Sequence, residues 1–216
     1  MPRPGRSELA TFFATGSKSL SSPLSDFQIS QFLIYLEDLK EWSRGVNLTS
    51  ILDDKEIIEK HFLDSLAGLK AIEKRPGQTL LDIGTGAGFP GVPLKIGLPG
   101  LQLTLLESSE KKTAFLHHLI GKLKLSEVRI LNQRIEKLAT GDNRYDLIVA
   151  RAFAKIETVL SKALPLLGPN GKLILYQGRI QSAMPVDRIK EWEATVQYEL
   201  PFSKILRRLE IFKRPS

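Results

Sequence analysis

The stretch Leu80-Leu81-Asp82-Ile83-Gly84-Thr85-Gly86-Ala87-Gly88-Phe89-Pro90-Gly91 is an apolar run that ends in an acid and then breaks into alternating glycines. It predicts a buried strand opening into a loop, because glycine accepts positive φ and lets backbone N–H groups approach a ligand closely. A second apolar run, Leu101-Gln102-Leu103-Thr104-Leu105-Leu106, ends in Glu107. That places a carboxylate at a neighbouring strand tip, where it takes both hydroxyls of a ribose. The two tips together predict a nucleoside site.

Outward from this stretch, strands and helices alternate. Strands are predicted at 80–83, 101–107, 127–132, 145–150 and 172–177, with helices near 91–98, 109–123, 155–167 and 186–194. Alternation of this kind builds right-handed βαβ units and a mostly parallel sheet. Residues 195–200 and 206–213 then read as two strands around Pro201 to Lys204, an antiparallel hairpin closing the sheet. Upstream, Ile29, Phe32, Leu33, Leu36, Leu39 and Trp42 recur at helical spacing, as do Ile57, Ile58, His61, Phe62, Leu66 and Leu69 after an Asp53 or Asp54 cap. The expected architecture is a Rossmann-like α/β fold over 79–216 behind a helical extension over 1–78, the whole forming one compact unit.

With 216 residues there is length for one such domain and its extension. The absence of cysteine excludes disulfides, thiolate metal sites and a cysteine nucleophile, and three histidines leave little for zinc, so no metal is expected. No apolar run reaches the roughly 18 residues of a membrane span. A cytoplasmic protein off the membrane is expected, monomeric rather than assembled, although Arg3, Arg6 and Lys18 in a Ser- and Pro-containing start also fit an organelle transit peptide. A formal charge of +7 points to a polyanionic partner.

Gly86-Ala87-Gly88-Phe89-Pro90-Gly91 satisfies G-x-G-x-x-G literally, which keeps a dinucleotide-dependent oxidoreductase open. Two residues lean away from it. Pro90 has no N–H to offer a pyrophosphate, and the charge of Asp82 repels phosphate while suiting a ligand that carries an ammonium and a sulfonium, as S-adenosylmethionine does. Asp82 also fits a plainer role, accepting loop N–H groups. Methylation at pyrimidine C5 ordinarily uses a cysteine, and exocyclic amines often an Asn/Asp-Pro-Pro-aromatic loop; the chain has neither, reading Ala150-Arg151-Ala152-Phe153 after the fourth strand. A ring nitrogen such as guanine N7 has a free lone pair and needs no base. A rate nearly independent of pH from roughly 6 to 8.5 is then expected.

The ordered set Asn47-Leu48-Thr49, His61-Phe62-Leu63-Asp64-Ser65, the glycine stretch from Asp82 to Gly91, Arg134-Ile135-Glu136 and Arg151-Ala152-Phe153-Ala154 resembles the bacterial 16S rRNA guanine-N7 methyltransferases, the glucose-inhibited division protein B family. The resemblance runs from about residue 27 to 180. It implies a class I methyltransferase fold and methyl transfer from S-adenosylmethionine to a guanine of the small ribosomal subunit. It makes Gly84 and Phe89 cofactor contacts beside Asp82, Gly86 and Gly88, Glu107 the ribose acceptor, Ile135 and Glu136 the adenine-side contacts, and Arg151 the basic residue of the site. After the fifth strand, where the family pattern has Lys-Gly, this chain has Gln177-Gly178, with Arg179 nearby.

Plainer roles compete for several of these. His61 reads as a hydrogen-bonded structural histidine on an apolar face, and Asp64 and Ser65 as shaping a helix end, so none is assigned chemistry. Arg151 is the one candidate for a part in catalysis, or else a structural ion pair with Glu107, Glu136 or Glu157. Arg179, Arg207 and Arg208 are RNA-binding candidates, the hairpin pair equally fitting a solvated face. A non-catalytic RNA-binding or ribosome-assembly protein that keeps a nucleoside pocket is the remaining alternative.

Overall fold

The computed structural model describes residues 4–138, 144–151, 156–178 and 190–214. One sheet holds β1 (Thr79–Ile83), β2 (Gln102–Glu107), β3 (Val128–Asn132), β4 (Tyr145–Arg151), β5 (Leu167–Gln177), β6 (Trp192–Glu199) and β7 (Leu206–Lys213). Across it the order is β3-β2-β1-β4-β5-β7-β6; the first five run parallel, and β7 is antiparallel to both its neighbours. Parallel neighbours need long crossovers. Helices Gly91–Gly97, Glu110–Leu123 and Ile156–Ala163 lie on those connections. The order reverses between β1 and β4, so a crevice opens at the carboxyl ends of β1, β2 and β4, where doubly wound sheets bind ligands.

Alternation along the strands divides the core in two. Leu80, Leu105, Val149 and Ile174 face one layer with the lead-in helices, while Leu81, Ile83, Ile148 and Leu175 face the other with Val159, Leu160 and Ala163. The period of two is what a strand buried on both faces produces.

Three helical segments precede β1 where the sequence predicts two. Asp26–Trp42 opens with a capping box in which Ser25 and Gln28 satisfy each other's backbone N–H, and Asp53 caps the segment over 54–70 through Glu56 N at 2.9 Å. Within it Ile58–Leu63 widens into a π-helical turn. The additional helix, Arg6–Ser19, buries Leu9, Phe13 and the small residues Gly16 and Ser17. Its apolar stripe is too narrow to stand out by periodicity. The helix predicted near 186–194 is corrected over its described part: residues 190–191 turn and β6 begins at Trp192, because pairing with β7 captures that segment.

The segment over 54–70 is fastened to the sheet by buried polar contacts. Tyr176 Oη on β5 donates to Ser65 O at 2.7 Å, and Glu59 accepts the N–H groups of Phe202 and Ser203, both at 2.7 Å. Gly68 permits this closeness, since a Cβ there would lie 1.8 Å from Tyr176 Oη. Gly68→Ala is expected to lower stability by about 1–3 kcal/mol through overpacking. Gly121→Ala, on an exposed helical turn with nothing within 4 Å, is expected to raise it by about 0.5–1 kcal/mol. Urea unfolding of the two variants checks the contrast.

Candidate functional site

The loop after β1 is held from beneath and behind. Gly84 N and Thr85 N both donate to Leu106 O, at 2.9 and 3.1 Å, which ties the loop to the end of β2. Asp82 is fully buried, and its Oδ2 accepts from Thr85 Oγ1 at 2.5 Å and from Gly91 N at 2.7 Å. Any side chain at position 91 would put its Cβ 2.7 Å from that oxygen, so the close approach requires glycine. Oδ1 has no partner among the described residues. Burial pushes the Asp82 carboxyl up to about 6, against the opposing pull of Thr85, Gly91 and the Arg151 charge. Above the loop the space is different: Gly86 has φ +60 and its nearest neighbour to a built Cβ is 4.0 Å away.

Glu107 closes the other side. Its Oε2 accepts Gly86 N at 3.0 Å and its Oε1 accepts Ser109 N at 2.9 Å, leaving one lone pair on each oxygen for a diol. Beside it lies a hollow of about 390 Å³ lined by Gly84, Glu107, Ile135 and Glu136 among others. Ile135 is buried and Glu136 exposed; a hydrogen bond from Lys162 holds the Glu136 carboxyl below its ordinary value.

Arg151 ends β4 at a second hollow of about 460 Å³, lined by His61, Asp64, Arg151, Tyr176, Gln177 and Arg207 and by apolar side chains. Its Nη1 donates to Asp64 Oδ2 at 3.3 Å and Lys60 O at 3.4 Å, its Nη2 lies 3.3 Å from His61 Nδ1, and its guanidinium sits 5.0 Å from the Phe89 ring centre. Phe89 is the middle of an aromatic column, stacked on Tyr35 at 5.4 Å and on His61 at 4.8 Å. Tyr35 Oη donates to Ala87 O, so a helix of the extension holds the glycine loop directly. Burial, then the Arg151 charge, pushes the His61 imidazole down to about 3.

The sequence-predicted residues therefore fall into two groups. Gly84, Glu107, Ile135 and Glu136 meet around one hollow, with Gly86 bonded to Glu107 beside it; Arg151 lines the other with the buried Phe89 ring under its guanidinium, Gly88 is buried against Tyr35 and Val92, and Asp82 lies sealed under the loop. Arg151 pairs with Asp64 and not with Glu107, Glu136 or Glu157, since the helical segment over 54–70 brings its own carboxylate to the end of β4. Arg207 lies 3.6 Å from Asp64 Oδ1 and lines the second hollow; Arg208 is largely buried and pairs with Glu210 at 3.2 Å. Arg179 and Ala152 to Ala154 lie outside the described residues. Thr49, His61, Asp64 and Tyr35 are the site residues to which sequence reasoning gives no chemistry. The three-residue step from His61 to Asp64 on one helical segment was the available signal.

A doubly wound sheet with this glycine loop and acidic strand tip defines a class I methyltransferase. The fold is shared with a solved SAM-dependent methyltransferase from Aquifex aeolicus (TM-score 0.54, 17% identity, covering 82% of this chain and 98% of that one). It is shared too with precorrin-6y C5,15-methyltransferase from Geobacter metallireducens (TM-score 0.53, 12% identity, 70% and 87%). The chain belongs to the rRNA small subunit methyltransferase G family, whose profile matches residues 28–208. Among curated relatives, the ribosomal RNA small subunit methyltransferase G of Caldanaerobacter subterraneus subsp. tengcongensis is 37% identical over 92% of this chain and 87% of that protein. The protein of that name from Chloroflexus aggregans is 42% identical over 73% and 67%.

Asp82 makes stability depend on pH in a stated direction. Its folded-state value lies above the unfolded one, so its contribution is complete below about pH 4 and is lost as pH rises through about 6, a loss of about 3 kcal/mol. Asp82→Asn is expected to remove that fall. Urea unfolding of both proteins at pH 4 and pH 7 gives the difference directly.

Proposed function

We propose that this protein transfers a methyl group from S-adenosylmethionine to N7 of a guanine in the 16S rRNA of the small ribosomal subunit. The observation that carries the N7 assignment is that the described residues of the acceptor hollow include no base. His61 is neutral across the physiological range, and the Asp64 carboxylate is engaged by Arg151, Arg207 and Tyr198. Chemistry that must remove a proton lacks a group to receive it among the described residues there, whereas N7 presents its lone pair unaided. Family membership supports the rRNA substrate over the dinucleotide-dependent and non-catalytic alternatives.

The residues fit the cofactor. Glu107 offers paired lone pairs to a ribose, Ile135 and Glu136 bound the adenine side, Gly84 and Gly86 face its middle while Gly88 and Phe89 shape the loop from within by packing on Tyr35, and Asp82 favours a cation through its field from beneath the loop. When bound, S-adenosylmethionine supplies an electrophilic methyl group. What the chain itself contributes is alignment: Arg151, lining the second hollow with its guanidinium over the Phe89 ring, orients the acceptor, and holding donor and acceptor in line contributes roughly 7–11 kcal/mol. Arg207, at the mouth of the acceptor hollow, is the hairpin residue we assign to the RNA, while Arg208 serves the sheet. A cytoplasmic location follows from the substrate.

The direct test is transfer of labelled methyl from S-adenosylmethionine to small-subunit RNA, followed by nucleoside analysis. A methyl group found on an exocyclic amine or a ribose hydroxyl defeats the N7 assignment. The single-turnover rate of the assembled complex is expected to stay flat from roughly pH 6 to 8.5, while cofactor affinity weakens below about pH 6 as Asp82 gains its proton. Arg151→Ala is expected to lower turnover at least tenfold. Calorimetry is expected to find micromolar binding of S-adenosylmethionine and none of nicotinamide dinucleotides.

A further inference from the structure

His61 makes three side-chain contacts that together point to one tautomer of the neutral ring. Its Nδ1 lies 3.3 Å from Arg151 Nη2, its Nε2 lies 2.8 Å from Thr49 Oγ1, and its ring rests on Phe89 at 4.8 Å and 20°. A guanidinium only donates, so Nδ1 accepts and the single proton of the neutral ring sits on Nε2, donated to Thr49 Oγ1. The Thr49 hydroxyl in turn accepts Ile51 N at 3.1 Å, so the backbone of the 47–51 loop sets where it lies.

Arg151 is caged from the same side. Lys60 O, Asp64 Oδ2 and His61 Nδ1 each take one of its five N–H groups, which among the described residues leaves two for a ligand. Lys60, His61 and Asp64 all come from the π-helical turn and the residue after it, a widening of the kind that collects at functional sites. The charged groups facing the imidazole are Arg151 and Lys60, both of which oppose its protonation; the Lys60 carbonyl favours it, and Asp64 is spent on Arg151, Arg207 and Tyr198.

We propose that His61 is a positioning residue, a neutral imidazole fixed by Thr49 that sets the orientation of the Arg151 guanidinium over Phe89 at the mouth of the acceptor hollow. The inference rests on the assignment of that hollow to the methyl acceptor. Its physical basis is that a long, flexible arginine loses less freedom on meeting its ligand when its other N–H groups are already held. The imidazole moves no proton in this role.

Two measurements test it. Nitrogen-15 NMR of the imidazole in the free protein is expected to show the Nε2–H tautomer unchanged from pH 5 to 8; an Nδ1–H tautomer, or titration near 6.5, overturns the proposal. In kinetics, His61→Phe keeps ring and stacking but not the acceptor, and is expected to lower kcat about tenfold with the KM for the subunit changed less than about threefold. His61→Asn, which returns an acceptor near the Nδ1 position, is expected to restore most of it. Thr49→Val is expected to act in the same direction as His61→Phe. In an Arg151→Ala background, His61→Phe is expected to cost less than about twofold more, because its effect runs through the arginine. Full additivity of the two losses overturns the proposal. A wild-type protein that methylates no small-subunit RNA defeats the functional assignment instead, and the tautomer measurement still judges His61.

Discussion

The Asp64 carboxylate is the contact on which the arrangement turns. It is almost wholly buried, and burying a charge is costly unless partners compensate for it. Those partners come from three strands: Arg151 from β4, Tyr198 from β6, whose hydroxyl donates to Oδ1 at 2.8 Å, and Arg207 from β7. One side chain on a helix thereby fixes that helix to the end of the parallel sheet and to the antiparallel hairpin. Because two of its partners, Arg151 and Arg207, also line the second hollow, the contact that docks the helix shapes the site as well.

The glycine loop shows the same economy with a different acid. Asp82 holds the loop through a backbone N–H and a hydroxyl from below, while Glu107 holds it through Gly86 N from the side. The loop is thus preformed by carboxylates that leave a negative field around it, which suits a cationic ligand and discourages a pyrophosphate. The strain of this choice is visible in Asp82, whose burial makes its ionisation costly to the folded protein.

The N-terminal helices are part of this machinery. Tyr35 holds Ala87 O and stacks on Phe89, and Phe62 links the same column to Phe32 and Phe13, so packing in the helical layer is transmitted to the loop by rigid rings. Thr49 and His61 add polar contacts from the same side.

Local chemistry alone determined the parallel core strands, the glycine loop and the acid at the tip of β2, because periodicity, glycine and a terminal carboxylate are each legible within a dozen residues. The first helix escaped because its buried stripe is narrow and small, and the segment beyond residue 190 became strand because β7 supplied a ladder no local propensity records. Only the tertiary structure decided the partners of Arg151. Asp64 and His61 stand 87 and 90 residues away in the chain, and nothing in their own neighbourhood says which strand end they will face. Charge pairing over that separation depends on how a helix docks on a sheet. That docking rests on Tyr176 reaching Ser65 past Gly68 and on Glu59 reaching Phe202 and Ser203, a condition that exists only once the chain has folded.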